Sequence, residues 1–284
     1  MLVTLFRLLS RLPLPVLHAI GAALGWLVYL VSPTYRNRLK GNIDRAGFGA
    51  SRRAAIREAG KNVLELPFVW CAPSSKVLRT AAVENWDLVQ AALDAGRGII
   101  FLTPHLGCFE ILAQGFAARS PLTVLYRPPR KEALKPLIEG ARARHNLALA
   151  PANLAGVRIL LKALKQGGSI GLLPDQVPQQ GEGVWADFFG KPAYTMSLPA
   201  KLQRMTGAAV ILAYAERLPR GAGYTLRFLR FEQPLGDTPE QQARAINASM
   251  EQLIAHCPSQ YFWSYNRYKR PAGVAAPGTG EQAA

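Results

Sequence analysis

The sequence predicts an α/β fold: a single mixed-sheet domain flanked by helices, with an N-terminal hydrophobic helical segment that anchors it to a membrane. Three observations carry this. Short apolar runs alternate with amphipathic stretches of helical period, the pattern of sheet and helix layers. No internal repeat or linker divides the body, so residues 32–270 read as one domain between an anchor (1–31) and a tail (271–284). In 284 residues, 49% are hydrophobic and 18% charged, which supplies a full core and excludes a disordered chain.

The elements follow in chain order. Residues 1–12 (MLVTLFRLLSRL) set Thr4, Arg7 and Arg11 at helical spacing with Ser10 beside them and are otherwise apolar, an amphipathic helix with a narrow polar stripe. Pro13 and Pro15 interrupt it. Val16 to Val31 then runs apolar except for His18, with Gly21 and Gly25 in small-xxx-small spacing. Sixteen residues reach about 24 Å, short of a hydrocarbon core of about 30 Å. A cleaved secretory signal, a single span and a monotopic anchor in one leaflet all fit this segment. The cluster Arg36, Arg38, Lys40, Arg45, Arg52 and Arg53 argues against export and for a cytosolic body.

Strands are expected at 98–103, 122–127, 147–150, 169–173, 208–215 and 224–231, the last as an antiparallel edge because apolar and basic residues alternate along it. Helices fit 51–66, 108–118, 131–145, 154–166, 197–206 and 239–256. The tail from Pro271, rich in glycine, proline and alanine, reads as disordered. Cys71, Cys108 and Cys257 are odd in number and lack CxxC or CxxH spacing, so neither a disulfide frame nor a metal site is expected.

The net charge of +16 is concentrated in two blocks, residues 1–57 and 119–166, each at +8. Such blocks expect anionic partners. Nucleic acid is disfavoured because zinc-finger spacing, an RNP-like strand and a helix-turn-helix signature are all missing. An anionic membrane or a phosphorylated lipid fits better, since the first block adjoins the most apolar stretch.

Chemistry in α/β sheets gathers where strands end. The strand GIIFLT runs into Pro104-His105-Leu106-Gly107-Cys108-Phe109-Glu110. Here a histidine emerges at a strand's carboxyl end, with a glutamate five positions on in the first turn of a helix. Glu110 is expected to orient His105 and to favour the imidazolium formed when the other ring nitrogen takes a proton. The next strand delivers Arg127, followed by Arg130 and Lys131, and a third delivers Pro174, Asp175 and Gln176. Phe109, Phe116, Trp185 and Phe188 are candidates for lining an apolar pocket.

His105-Leu-Gly-Cys-Phe-Glu110 resembles the His-x4-Asp/Glu motif of glycerolipid acyltransferases, and with its glutamate ending it is similar to the late acyltransferases of bacterial lipid A biosynthesis. Tyr126-Arg127-Pro128, the Gly167-Gly168…Asp175-Gln176 segment, Phe188 to Gly190 and the aromatic-basic stretch Tyr261 to Arg270 resemble that family in the same order, over nearly the whole chain. The resemblance implies an acyl carrier protein thioester as donor, a hydroxyl of a lipid A precursor as acceptor, and the cytoplasmic face of an anionic inner membrane as location. It implies His105 and Glu110 as catalytic residues and Arg127, Arg130 and Asp175 as substrate-binding residues, with no cofactor or metal. Other readings remain: an acyltransferase for lysophosphatidate or a phosphatidylinositol mannoside, a non-catalytic basic membrane tether, and a serine hydrolase. The last would use the G-x-S-x-G match at Ser169 with Asp237 and His256, but Ser169 precedes its strand, whereas an elbow serine follows one.

Overall fold

The structure, a computed structural model, describes residues 2–127, 129, 132, 135–142 and 146–278. A seven-stranded sheet has the order β1-β9-β8-β2-β5-β3-β4, built from β1 (Ala81–Glu84), β2 (Ile99–Leu102), β3 (Leu122–Tyr126), β4 (Leu147–Pro151), β5 (Ser169–Leu172), β8 (Ala209–Arg217) and β9 (Tyr224–Arg230). All neighbours are parallel except β8 and β9, which run antiparallel with Tyr214 opposite Arg227. The expected antiparallel β9 is present but is not the edge: β1 pairs parallel along its other side. A separate hairpin, β6 (Gly183–Phe188) with β7 (Lys191–Met196), lies outside this sheet, and its turn places Phe189 and Gly190 at positive φ.

The central strand explains the two layers. In β2 every residue is buried, and successive side chains enter opposite faces. Ile99 and Phe101 join one core with Phe116, Leu122, Tyr126 and Phe228. Ile100 and Leu102 join the other with Leu164, Tyr214, Met250 and Trp263. Helices α7 (Trp86–Asp94) and α8 (Phe109–Ala117) cover the first face; α10 (Leu154–Lys165), α11 (Leu198–Thr206) and α12 (Pro239–His256) contribute to the second. Local chemistry sets their ends: Asn153 accepts from the Gly156 amide to start α10, and Thr238 with Gln241 forms a capping box for α12.

At the N-terminus, α1 (Leu2–Leu9) and α2 (Leu14–Val31) fit the expected helices and their proline break. Next come α3 (Pro33–Arg45), α4 (Arg52–Leu64), α5 (Leu66–Cys71) and α6 (Ser74–Leu78). Helix α2 is long and apolar enough to cross a membrane. It is nonetheless packed along α4, because Gly21 and Gly25 let the backbones approach closely: a Cβ added at Gly60 of α4 would stand 1.9 Å from the Gly21 carbonyl oxygen. In a helix interior, Gly→Ala ordinarily stabilises by up to about 1 kcal/mol. Here the backbone clash reverses the sign, and Gly60→Ala is expected to cost about 1–3 kcal/mol, measured as a lowered unfolding midpoint.

The chain after α12 closes over the second core. Asn42 of α3 donates from Nδ2 to the carbonyls of Trp263 (2.7 Å) and Tyr265 (2.9 Å). Beyond Pro271, Gln180 donates to the Gly273 carbonyl (3.0 Å) and Trp185 to the Ala275 carbonyl (2.9 Å), so this stretch is tied to the β6–β7 region.

Candidate active site

Strand order makes the site. β5 is the parallel neighbour of β2, so the segments leaving their carboxyl ends are adjacent. After β2 the chain is pinned on both sides: the Thr103 amide donates to the Leu172 carbonyl, Phe262 donates to the His105 carbonyl, and Cys108 donates to the Ala215 carbonyl. Gly107 allows this path, with φ of +59° and a position where a Cβ would lie 1.8 Å from the Ala215 oxygen.

Asp175 grips His105 twice. Its Oδ2 accepts the His105 backbone amide at 2.9 Å, and its Oδ1 sits 2.7 Å from the ring Nδ1. Burial alone would raise this carboxyl, but the neighbouring His105, with a further contribution from Arg267, holds it below its ordinary value. An ionised carboxylate can only accept, which places the ring hydrogen on Nδ1 and leaves the Nε2 lone pair to act as a base. Gln176 Nε2 lies 3.1 Å from that Nε2 and can donate to it. The Phe109 ring meets the imidazole edge-on at 5.0 Å, and His105 is partly exposed.

Glu110, expected to orient His105, accepts a hydrogen bond at Oε2 from Trp70 Nε1 at 3.1 Å, and it is buried in the first turn of α8, facing α5. The physical reason is the turn at Gly107, which separates His105 from the helix, so that the group five residues away in sequence is displaced by one on the neighbouring strand. The carboxylate in contact with His105 is Asp175.

Arg127 stands one residue past β3, at the same sheet edge one strand beyond β5, and is exposed. Arg130 lies outside the described residues. Phe116 and Phe188 are core residues, and Ser169 is the buried first residue of β5. A serine at the start of its strand cannot serve as the nucleophile elbow of a hydrolase. The described residues hold no cluster of three or more His, Cys, Asp or Glu suited to a metal.

Several partners went unnamed among the expected site residues. Gln176 was visible beside Asp175, but its place on the ring depends on the turn after β5. Tyr261 lies with its hydroxyl beside Asp175, and buried Arg267 donates to the Tyr194 carbonyl (2.7 Å), Thr195 Oγ1 (2.7 Å) and Asn247 Oδ1 (3.2 Å). The aromatic-basic stretch 261–270 was the signal for both. On the first-core side, a cavity of about 540 Å³ opens between α1, α5, α6 and α9 (Lys135–Arg142), lined by Arg7, Arg11 and Lys76 and bounded by Trp70, the residue that holds Glu110.

A partly exposed histidine on a buried aspartate at a strand end, its second ring nitrogen met by Gln176, has the geometry that general-base transfer needs, and comparison with known proteins specifies the family. The model of the bacterial lipid A biosynthesis acyltransferases matches residues 1–270. The chain belongs to that family. This acyltransferase is 27% identical over 277 residues to the lipid A biosynthesis lauroyltransferase of Escherichia coli (strain K12), covering 94% of the chain and 90% of the relative. It is also 27% identical over 276 residues to the palmitoleoyltransferase of the same organism, covering 94% and 89%. A lipid A biosynthesis acyltransferase of Haemophilus influenzae is 24% identical over 282 residues, covering 94% and 88%. The acyltransferase and these relatives therefore align over most of the length of each chain.

Proposed function

We propose that this acyltransferase adds a secondary acyl chain to a lipid A precursor, taking it from an acyl carrier protein thioester at the cytoplasmic face of the inner membrane. The observation that carries the chemistry is the 2.7 Å contact between His105 Nδ1 and Asp175. It supports His105 as general base. Nε2 removes the proton of the acceptor hydroxyl as the oxygen attacks the thioester carbonyl, after Gln176 yields its place on that nitrogen. The tetrahedral oxyanion then collapses, the carbon–sulfur bond breaks, and the imidazolium returns the proton to the departing thiolate. An ester and a free carrier thiol result, so every atom and proton is accounted for.

Asp175 remains ionised throughout and stabilises the imidazolium. Glu110 is a positioning residue that joins α8 to α5 through Trp70, while Arg127 meets acceptor phosphate or the developing oxyanion. The cations of the cavity beside Trp70 add to the attraction for a phosphorylated lipid and an acidic carrier. Arg130 belongs to the same proposed phosphate contact.

The reading is tested by mass spectrometry of lipid A from cells with and without the protein, together with purified full-length protein given acyl carrier thioester and lipid A precursor. The expected result is loss of one secondary acyl chain in the cells and thioester consumption in vitro. An unchanged lipid A spectrum with transfer to lysophosphatidate would move the acceptor to a glycerophospholipid.

A further inference from the structure

Helix α2 carries an apolar stripe that no part of the described chain covers: Val16, Ile20, Leu24, Leu27, Val28 and Val31 are exposed along it, and Leu5 and Leu8 of α1 are exposed as well. The other side of the helix is fixed to the body. Leu14, Leu17, His18, Gly21 and Gly25 are buried. Gly25 faces the Ile56 carbonyl of α4, where an added Cβ would stand 2.1 Å away, and Gly21 lies against Gly60 and Lys61. Pro15 lies against Gly221 in the turn between β8 and β9. Helix α2 is therefore clamped at its start by the sheet and along its length by α4.

This clamp decides how the stripe meets lipid. With 18 residues, nearly all apolar, the helix is long enough to cross a membrane, so length alone does not decide between a span and an in-plane seat. Arg53 and Arg57 of α4 are exposed at the level of Ile56, which touches Gly25. If α2 stood across a bilayer, α4 would be carried into the hydrocarbon with both guanidinium groups facing lipid, an arrangement that membranes strongly disfavour. An in-plane helix avoids this, because the stripe enters one leaflet while α4 stays on the aqueous side. The charge fits as well: Arg7 of α1, Arg11 in the turn after it, and Arg38 and Lys40 of α3 are exposed on the segments flanking α2, for a headgroup layer of anionic phospholipid to meet.

We infer that α2 does not span the membrane but lies in the plane of a single anionic leaflet, and so seats the whole domain on it. The inference rests on the membrane association proposed above but not on the chemistry, and its test reads no turnover.

Single cysteines at Val16, Leu24 and Val31 are labelled with an environment-sensitive fluorophore in full-length protein carrying Cys71→Ser; Cys108 and Cys257 are buried and so shielded from the reagent. The protein is bound to vesicles of phosphatidylethanolamine and phosphatidylglycerol bearing nitroxides at shallow or deep acyl positions. The expected result is stronger shallow than deep quenching at all three positions, with ratios equal within about two-fold, since an in-plane helix has its apolar face at one depth. Deep quenching dominant at Leu24 but shallow at Val16 and Val31 would mean a span and overturn the inference. No quenching by either lipid at any position would mean that protein, such as a second copy of the chain, covers the stripe, and would also overturn it.

Discussion

Asp175→Asn is expected to lower the rate of acyl transfer on the order of 10³–10⁴-fold while the protein stays folded. The carboxylate can only accept, so it demands hydrogen on His105 Nδ1 and leaves Nε2 as the base. An asparagine amide directed at Nδ1 donates instead, which moves the ring hydrogen to Nε2 and removes the lone pair that accepts the hydroxyl proton. The loss should fall on kcat, because neither atom is needed to hold lipid or carrier. His105→Ala should be at least as damaging, and the double variant should be little worse than either single one, since the two groups act as a unit. Initial rates with acyl carrier thioester, paired with unfolding midpoints, check all three. An Asp175→Asn enzyme within about ten-fold of the parent would remove Asp175 from the mechanism.

That assignment shows where the sequence was legible. The strand carrying His105, the strand carrying Asp175 and the one carrying Arg127 can each be read from apolar runs that end in polar residues, and all three end at one sheet edge. Strand order cannot be read that way. Glu110 is the near carboxylate along the chain, but β5 packs beside β2, and spatial adjacency places Asp175 on the imidazole. Helices α3 and α7 and strands β1, β6 and β7 are among the elements that escaped sequence reading, two of the strands for visible reasons. β1 is four residues, Ala-Ala-Val-Glu, whose strand character comes from pairing with β9. In β6, Trp185 faces the tail and Phe188 the core, so its alternation is hidden among glycine and aspartate. The N-terminal run showed its apolar character but not its packing, because nothing in one sequence says that Gly21 meets Gly60 or that His18 meets Glu65.

Arg217→Met is expected to cost about 3–5 kcal/mol of stability, because it leaves a carboxylate buried without its cation. Glu65, between α4 and α5, is fully buried and receives Arg217 Nε at 2.7 Å and Nη2 at 2.5 Å, with the Tyr224 hydroxyl at 3.0 Å. Arg217 also reaches Glu58 at 2.8 Å, and His18 of α2 stands 3.4 Å from Glu65. Burial would raise the Glu65 carboxyl, but Arg217 overrides it and holds the group down at about 2 from an ordinary 4.5. A depressed carboxyl stabilises the fold above its unfolded value and loses that contribution as pH falls. About 3 kcal/mol should therefore disappear between pH 4.5 and 2, visible as falling denaturation midpoints. In Arg217→Met the sign reverses: burial now dominates, the carboxyl rises above 4.5, and stability declines as pH increases through its new value. Parallel slopes for the two proteins across this range would show that the pair does not govern acid stability. Because the network joins α2 through His18 to β8 and β9, the same variant should also speed amide exchange in α2, loosening this helix from the sheet.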